Sequence, residues 1–216
     1  MTPVTLAVRH RTADLVGEAA DAYITELQRG YRADKSGAVA TLAQLRRGAG
    51  KLPEDVPELW GMTGTERLYA EGKLPEAEAV RSEAALFLAV TLYALHQQSR
   101  PDQNMHRPGV ELGTAVRRLM PGGAIDGPIR RRFVRIGTAE TREALAERLR
   151  GIISLLRRES ISLDYALLAR QLYQAQLPDG LRQVRQSWGR SFHAYRADNT
   201  GAGTRSDDTA PTDKDV

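Results

Sequence analysis

The sequence predicts an all-α protein. Apolar residues recur at intervals of three and four along almost all of the 216 residues, which gathers them on one face of a helix. No run alternates apolar and polar residues over more than a few positions, so no half-buried strand is written. Prolines and glycines punctuate the chain between those periodic stretches. The expected fold is a helical bundle of about eight to ten helices in two small subdomains, with a disordered C-terminal tail.

In chain order, Leu15, Ala19, Ala22, Tyr23 and Leu27 begin an amphipathic helix. "SGAVATLAQLRRG" follows, with Ser36 as a candidate N-cap and Gly48 as its stop. Prolines 53 and 57 break the chain, and short helical pieces flank "GMTG". Residues 75–99 form the strongest helix. Proline opens it, acids fill its first turn, and its second half is apolar all round, which predicts burial. "RPDQNMHRPGVE", 100–111, has two prolines, a glycine and no period, and reads as a boundary.

Beyond it, Leu112, Ala115, Val116 and Leu119 share a face, and "PGGAIDGP" is a turn. A short arginine-rich helix follows. The next has Leu145, Leu149, Ile152 and Leu156 in register, with Thr138 as a plausible N-cap and Glu140 in the first turn. "SLDYALLARQLYQAQ" and "GLRQVRQSWGRSFHAY" complete the series. The expected organisation is an N-terminal helical subdomain at 1–100, a linker at 101–111, an arginine-rich helical subdomain at 112–196, and a tail at 197–216 without apolar period.

Bulk composition narrows the function classes. A hydrophobic fraction of 41% suffices for a core, and the absence of cysteine excludes disulfides and thiolate chemistry. "MTPVTLAVRHRTADL" lacks the pattern of a secretory leader, and the most apolar run, "AALFLAV", is too short to cross a bilayer. A cytoplasmic protein without membrane contact is expected.

The net charge of +4 hides an asymmetry. Residues 107–196 hold 17 bases, all arginine, against 8 acids, while residues 1–106 hold 12 bases and 14 acids and the tail 2 bases and 5 acids. Arginine's planar fork of donors suits phosphate. A basic half beside neutral or acidic neighbours is the footprint of a polyanion partner; arginine used only for solubility would not concentrate the charge.

The concentration peaks in "GPIRRRFVRIGTAE", where Arg130, Arg131, Arg132 and Arg135 fall within six positions. At about 100° per residue, Ile129, Phe133 and Ile136 lie within roughly 60° of one another, and Arg131 and Arg135 lie opposite, one turn apart. Arg117 and Arg118 on the preceding helix, and Arg142 and Arg150 on the following one, extend the ridge. Its lack of a base-reading set of Asn or Gln points to phosphate contact without sequence choice, sensitive to salt. Acids of a neighbouring domain or subunit are the other possible counterpart.

Other constellations fail. "GAGKL" at 48–52 has Leu45 where a P-loop needs glycine and Leu52 where it needs Ser or Thr. The four histidines show no metal-ligand spacing, and His96 reads as a satisfied core histidine. Glu140, Glu143 and Glu147 stand at helical spacing with Arg150 and read as surface ion pairs. Trp188 and Phe192 read as core. No catalytic motif, cofactor site or metal site emerges.

Four motifs in order, "LRRG" at 45–48, "LGTAVRRL" at 112–119, "RRRFVRIGTAETREALAERLRGIISLLRRE" at 130–159 and "LDYALLARQLYQ" at 163–174, resemble the CasB family, the small subunit of the type I-E CRISPR surveillance complex Cascade. The likeness spans residues 11–195 and is strongest from 111 to 175. It implies an all-helical, non-catalytic protein, packed as two copies head to tail inside a ribonucleoprotein beside the guide RNA subunits. There it would contact the target strand and help hold the displaced strand, stabilising the R-loop. Carried over by position, the basic residues are Arg46, Arg47, Arg117, Arg118, Arg131, Arg132, Arg135, Arg142 and Arg150. Arg130, also a candidate, is an addition to a pair in the family pattern. A helical interaction module whose arginines dock acidic protein surfaces is the alternative. A helix-turn-helix regulator would need a shorter turn than "LMPGGAIDGPIRRRF".

Overall fold

A computed structural model describes residues 3–70, 72–120, 125 and 127–195, with side chains from residue 9 onward. The turn expected at 121–124 and 126, and the tail at 197–216, lie outside the described residues. The helices are α1 (Pro3–Arg32), α2 (Ser36–Leu45), α3 (Glu76–Gln97), α4 (Leu112–Arg118), α5 (Gly127–Gly137), α6 (Arg142–Arg158), α7 (Tyr165–Gln174) and α8 (Gly180–Ala194). Single 3-10 turns occupy Arg46–Gly48, Pro53–Asp55, Pro57–Leu59 and Thr65–Tyr69. Among the described residues there is no strand, only an isolated bridge between His106 and Leu163. The all-α expectation is correct.

Helix α3 is the axis of the packing. Every residue from Ala85 to Ala94 is buried, and α1, α2, α6 and α7 all lie against it. Each leucine-sized side chain withdrawn from water there stabilises the fold by about 1.5–3 kcal/mol. Helix α1 also packs along α7, α4 along α8, and α5 along α6. The α4–α8 crossing is close because Gly113 has no side chain: a Cβ there would sit 2.1 Å from the Trp188 carbonyl oxygen and 2.5 Å from the Phe192 backbone nitrogen. The faces predicted for α4 (Leu112, Ala115, Val116, Leu119) and α6 (Leu145, Leu149, Ile152, Leu156) are buried as expected.

Several local expectations are corrected. The buried stripe of α1 is Ala13, Val16, Ala20, Ile24 and Leu27, with Ala19 at its edge, whereas Ala22 is exposed. The helix is rotated relative to the reading centred on Leu15 and Tyr23, because it must serve α7 and α3 at once. Ser36 is the first residue of α2, and the flanking Lys35 makes no side-chain cap. Helix α2 stops at Leu45, and the chain tightens into the turn that ends at Gly48. The N-cap of α6 is Thr141, whose Oγ1 accepts from the Ala144 N–H at 3.1 Å. Thr138 instead donates to the Arg135 carbonyl at the end of α5.

Residues 101–111, expected as a linker, carry buried core positions. Met105 and His106 are 1% and 3% exposed. The Gln28 side chain both accepts from the His106 N–H (2.9 Å) and donates to its carbonyl (3.2 Å). The Leu163 N–H donates to Met105, and the Asp164 N–H donates to Val110. Asp164 caps α7 through the Leu167 N–H and accepts from the Gly109 N–H. The segment's polar, aperiodic composition reflects backbone satisfied by distant side chains. One hydrophobic cluster draws on α1 and α3 and equally on α4, α6, α7 and α8.

Candidate nucleic-acid interface

The arginine helix α5 forms as the sequence predicts. Ile136 is fully buried, Ile129 and Phe133 are half-buried against the core, and Phe133 stacks on Phe192 of α8 with ring centroids 5.2 Å apart. The exposed Val134 adds nothing to the seam. Arg130, Arg131, Arg132 and Arg135 are exposed. Among the described residues, no carboxylate lies within ion-pair distance of any of the four.

Two side chains fix the far end of this helix. Arg148 of α6 donates to the Arg135 carbonyl, and Arg185 of α8 donates to the Ala139 carbonyl at 2.9 Å. Arg148 joins Thr138 on a carbonyl of the last turn of α5, the pole where positive charge is favoured, and Arg185 holds the backbone two residues beyond the helix. Sequence reading missed these two residues. Their signal is only that each sits beside an apolar stripe close in space, which spacing along one helix does not reveal.

The remaining candidates fall into distinct surroundings. Arg118, at the end of α4, places its guanidinium 5.8 Å from the centre of the Tyr195 ring. Arg117 is half-buried and donates to the Met120 carbonyl at 3.4 Å. Arg46 is half-buried and Arg47 exposed in the turn after α2. Arg150 meets that region: the backbone of Gly50 turns at φ +80°, and a Cβ there would lie 2.8 Å from the Arg150 Cδ. Glycine's freedom in the left-handed region lets the chain turn beneath the arginine. The structure thus brings Gly50, two residues past "LRRG", beside Arg150 at the centre of α6, with Lys51 adjacent in sequence. Arg142 differs, because its guanidinium takes the Glu54 carboxylate at 3.2 Å.

The expected ion pairs of Glu140, Glu143 and Glu147 with Arg150 do not form. Glu143 instead lies in the first turn of α6, where its own backbone N–H, then Thr141, hold its carboxyl below the usual range. The helix N-terminus outcompetes a surface pair with Arg150 for that acid. Trp188 and Phe192 are buried, as expected, and Trp188 Nε1 donates to Gln171 at 2.6 Å. His96 is buried with its Nδ1 2.9 Å from the Tyr165 hydroxyl, but its Nε2 has no partner, so it is only half satisfied. Among the described residues no group of three or more His, Asp or Glu could hold a metal ion, and no helix is long and apolar enough to cross a membrane.

Comparison with known proteins places this arrangement. No curated protein matches the chain. The crystal structure of CasB from Thermobifida fusca is 53% identical, covers 83% of this chain and 98% of its own, and superposes with a TM-score of 0.76. A chain of a CRISPR RNA-guided surveillance complex shares the fold at 23% identity and a TM-score of 0.57, covering 82% of this chain and 95% of its own. The family described as CRISPR-associated protein Cse2 matches residues 41–193, which include the turn at Arg46 and Arg47 and all of α3 to α7. With family and relative in agreement, and with the ordered motifs that resembled CasB inside the matched region, the chain belongs to the Cse2 family of CRISPR-associated proteins.

Proposed function

We propose that this chain is the non-catalytic small subunit of a Cascade ribonucleoprotein, and that its arginines hold the sugar-phosphate backbones of the target and displaced DNA strands. The carrying observation is the set of four exposed arginines on α5 with no carboxylate partner among the described residues, on a helix pinned at its seam and at its end. Charge left uncompensated inside the chain raises the helix's own repulsion, and an external polyanion relieves it. A pinned helix loses little entropy on binding. Arginine contacts to phosphate give affinity without base choice. In RNA-guided recognition, strand exchange is nearly balanced, so backbone contacts can tip it.

The partners are therefore the other Cascade subunits with their guide RNA, target DNA, and a second copy of the chain. Arg118 and Arg130 lie beside the end of α8, Arg131, Arg132 and Arg135 continue along the exposed faces of α5, and Arg150 lies against Gly50, close in sequence to Arg46 and Arg47. Arg117, partly turned inward, and Arg142, paired with Glu54, are weaker members. Docking of acidic protein surfaces fits Arg142 best, since its guanidinium already donates to a carboxylate.

The test is a salt titration of the purified chain on duplex and single-stranded DNA of unrelated sequences. Affinity should be weak and indifferent to sequence. It should fall linearly with the logarithm of salt, by about 0.9 per phosphate contact on duplex and about 0.7 on single strands. A flat salt response would leave protein docking as the role of the arginines.

A further inference from the structure

The arginines toward the end of α8 have a candidate counterpart inside the same polypeptide. The segment 197–216 carries Asp198, Asp207, Asp208, Asp213 and Asp215 against only Arg205 and Lys214. It follows α8, and that helix ends where the basic side chains gather. Arg118 lies over the ring of Tyr195, the last described residue. Arg130 and His193 line one groove of about 340 Å³ between α5 and α8, floored by Phe133, Trp188 and Phe192. The end of α8 therefore lies near arginines of two different helices, Arg118 of α4 and Arg130 of α5.

Reach is sufficient. Asp198 is three residues past Tyr195, which allows at most about 10 Å of extended chain. Twenty residues can reach at most about 70 Å, and α5 is only about 16 Å long. Tethering holds the acids at an effective concentration in the millimolar range, so contacts too weak to persist between separate molecules populate within one. Composition supports an electrostatic occupant: the segment has almost no large apolar residue to bury, and the α5 arginines have no other carboxylate among the described residues.

We propose that the acidic segment 197–216 docks in cis on the α5 arginines beside the end of α8, where it stands in for phosphate and competes with nucleic acid. The competition rests on the function proposed above; the docking does not. The segment would suppress weak contact with stray nucleic acid and yield to a strand held in place by the assembled complex, which presents many phosphates at once.

The chain has no cysteine, so a nitroxide on Thr212→Cys is a unique label. At about 50 mM salt, where the Debye length is roughly 14 Å, the label should broaden the backbone amide signals of residues 130–135. The broadening should disappear when the five tail aspartates are changed to asparagine in the full-length chain. It should be absent when the label and the isotope are carried by separate molecules in a mixed sample. Sparing of the α5 amides, or broadening only in the mixed sample, would overturn docking in cis. The asparagine variant should also bind a single-stranded oligonucleotide roughly threefold to tenfold more tightly than the parent at low salt, and equally at high salt. Equal affinity at low salt would overturn the competition. Broadening in a protein that binds no DNA at all would support the docking while removing the proposed function.

Discussion

Helices α3 and α5 stand at opposite ends of a scale of burial. From Ala85 to Ala94, α3 has no exposed residue, and among the described residues its buried polar side-chain atoms other than the Ser82 hydroxyl and His96 Nε2 find partners within the chain. Thr91 donates to the Phe87 carbonyl, His96 meets Tyr165, and the Gln97 side chain holds the backbone at Arg100, Gln103 and Met105. Helix α5 buries one residue completely and sends four guanidinium groups into solvent. Both helices are determined by the fold, but only α3 is completed by it. Polar groups satisfied at home hold a structure together. Charges without a carboxylate among the described residues leave a pinned helix open to a counterpart from elsewhere.

The largest expected effect breaks α3. Leu86 is fully buried, and Leu86→Ala should destabilise the protein by about 2–5 kcal/mol, through lost transfer energy and the cavity left behind. Val134→Ala, the matching truncation on the exposed side of α5, should stay within about 0.5 kcal/mol of zero. Urea denaturation of both variants measures the contrast. Comparable losses would mean that α5 is packed by something beyond its seam.

An intermediate effect comes from His96. Burial lowers its pKa from 6.5 to about 3, so the folded protein keeps the ring neutral while the unfolded chain protonates it. The stability is fully present above pH 6.5 and is lost as the pH falls from there toward 3, at up to about 1.4 kcal/mol per unit. Between pH 6.5 and 5 the wild type should therefore lose about 2 kcal/mol more than His96→Asn, by urea denaturation at each pH. Identical losses in the two proteins would contradict a neutral buried imidazole. The α5 arginines cannot contribute to this slope, since guanidinium stays charged throughout.

What the sequence discloses divides along the same line. The seams of α4, α5 and α6 were legible because each buries a regular stripe against few neighbours. The face of α1 was not, because two helices compete for it and Ala22 is as apolar as Ala20 in a list of residue types. Thr138 and Thr141 are equal as N-cap letters; only the carbonyl of Arg135, at the end of α5, removes Thr138 from contention. The order of the 100–111 segment was hidden for a deeper reason. That order comes from Gln28, Gln97 and Asp164, which lie far away in sequence, and no local pattern encodes such pairing. Among the candidate arginines, the concentration of charge was plain in composition, while the pairing of Arg142 with Glu54 and the approach of Arg150 to Gly50 needed the fold.

The smallest expected change in stability carries the largest expected change in binding. Arg131→Ala with Arg135→Ala removes two exposed guanidinium groups one turn apart, neither of which has a carboxylate partner among the described residues. Folding free energy should move by no more than about 0.5 kcal/mol, and relief of like-charge repulsion favours the stabilising direction. If each arginine meets one phosphate, the slope of log affinity against log salt should become shallower by about 1.8 on duplex DNA, or about 1.4 on a single strand. The reconstituted complex should assemble with the double variant and bind target more weakly. Loss of assembly at unchanged stability of the isolated chain would assign these arginines to a subunit interface instead. Either way the two charges would act outside the described fold, because among the described residues no carboxylate pairs with them.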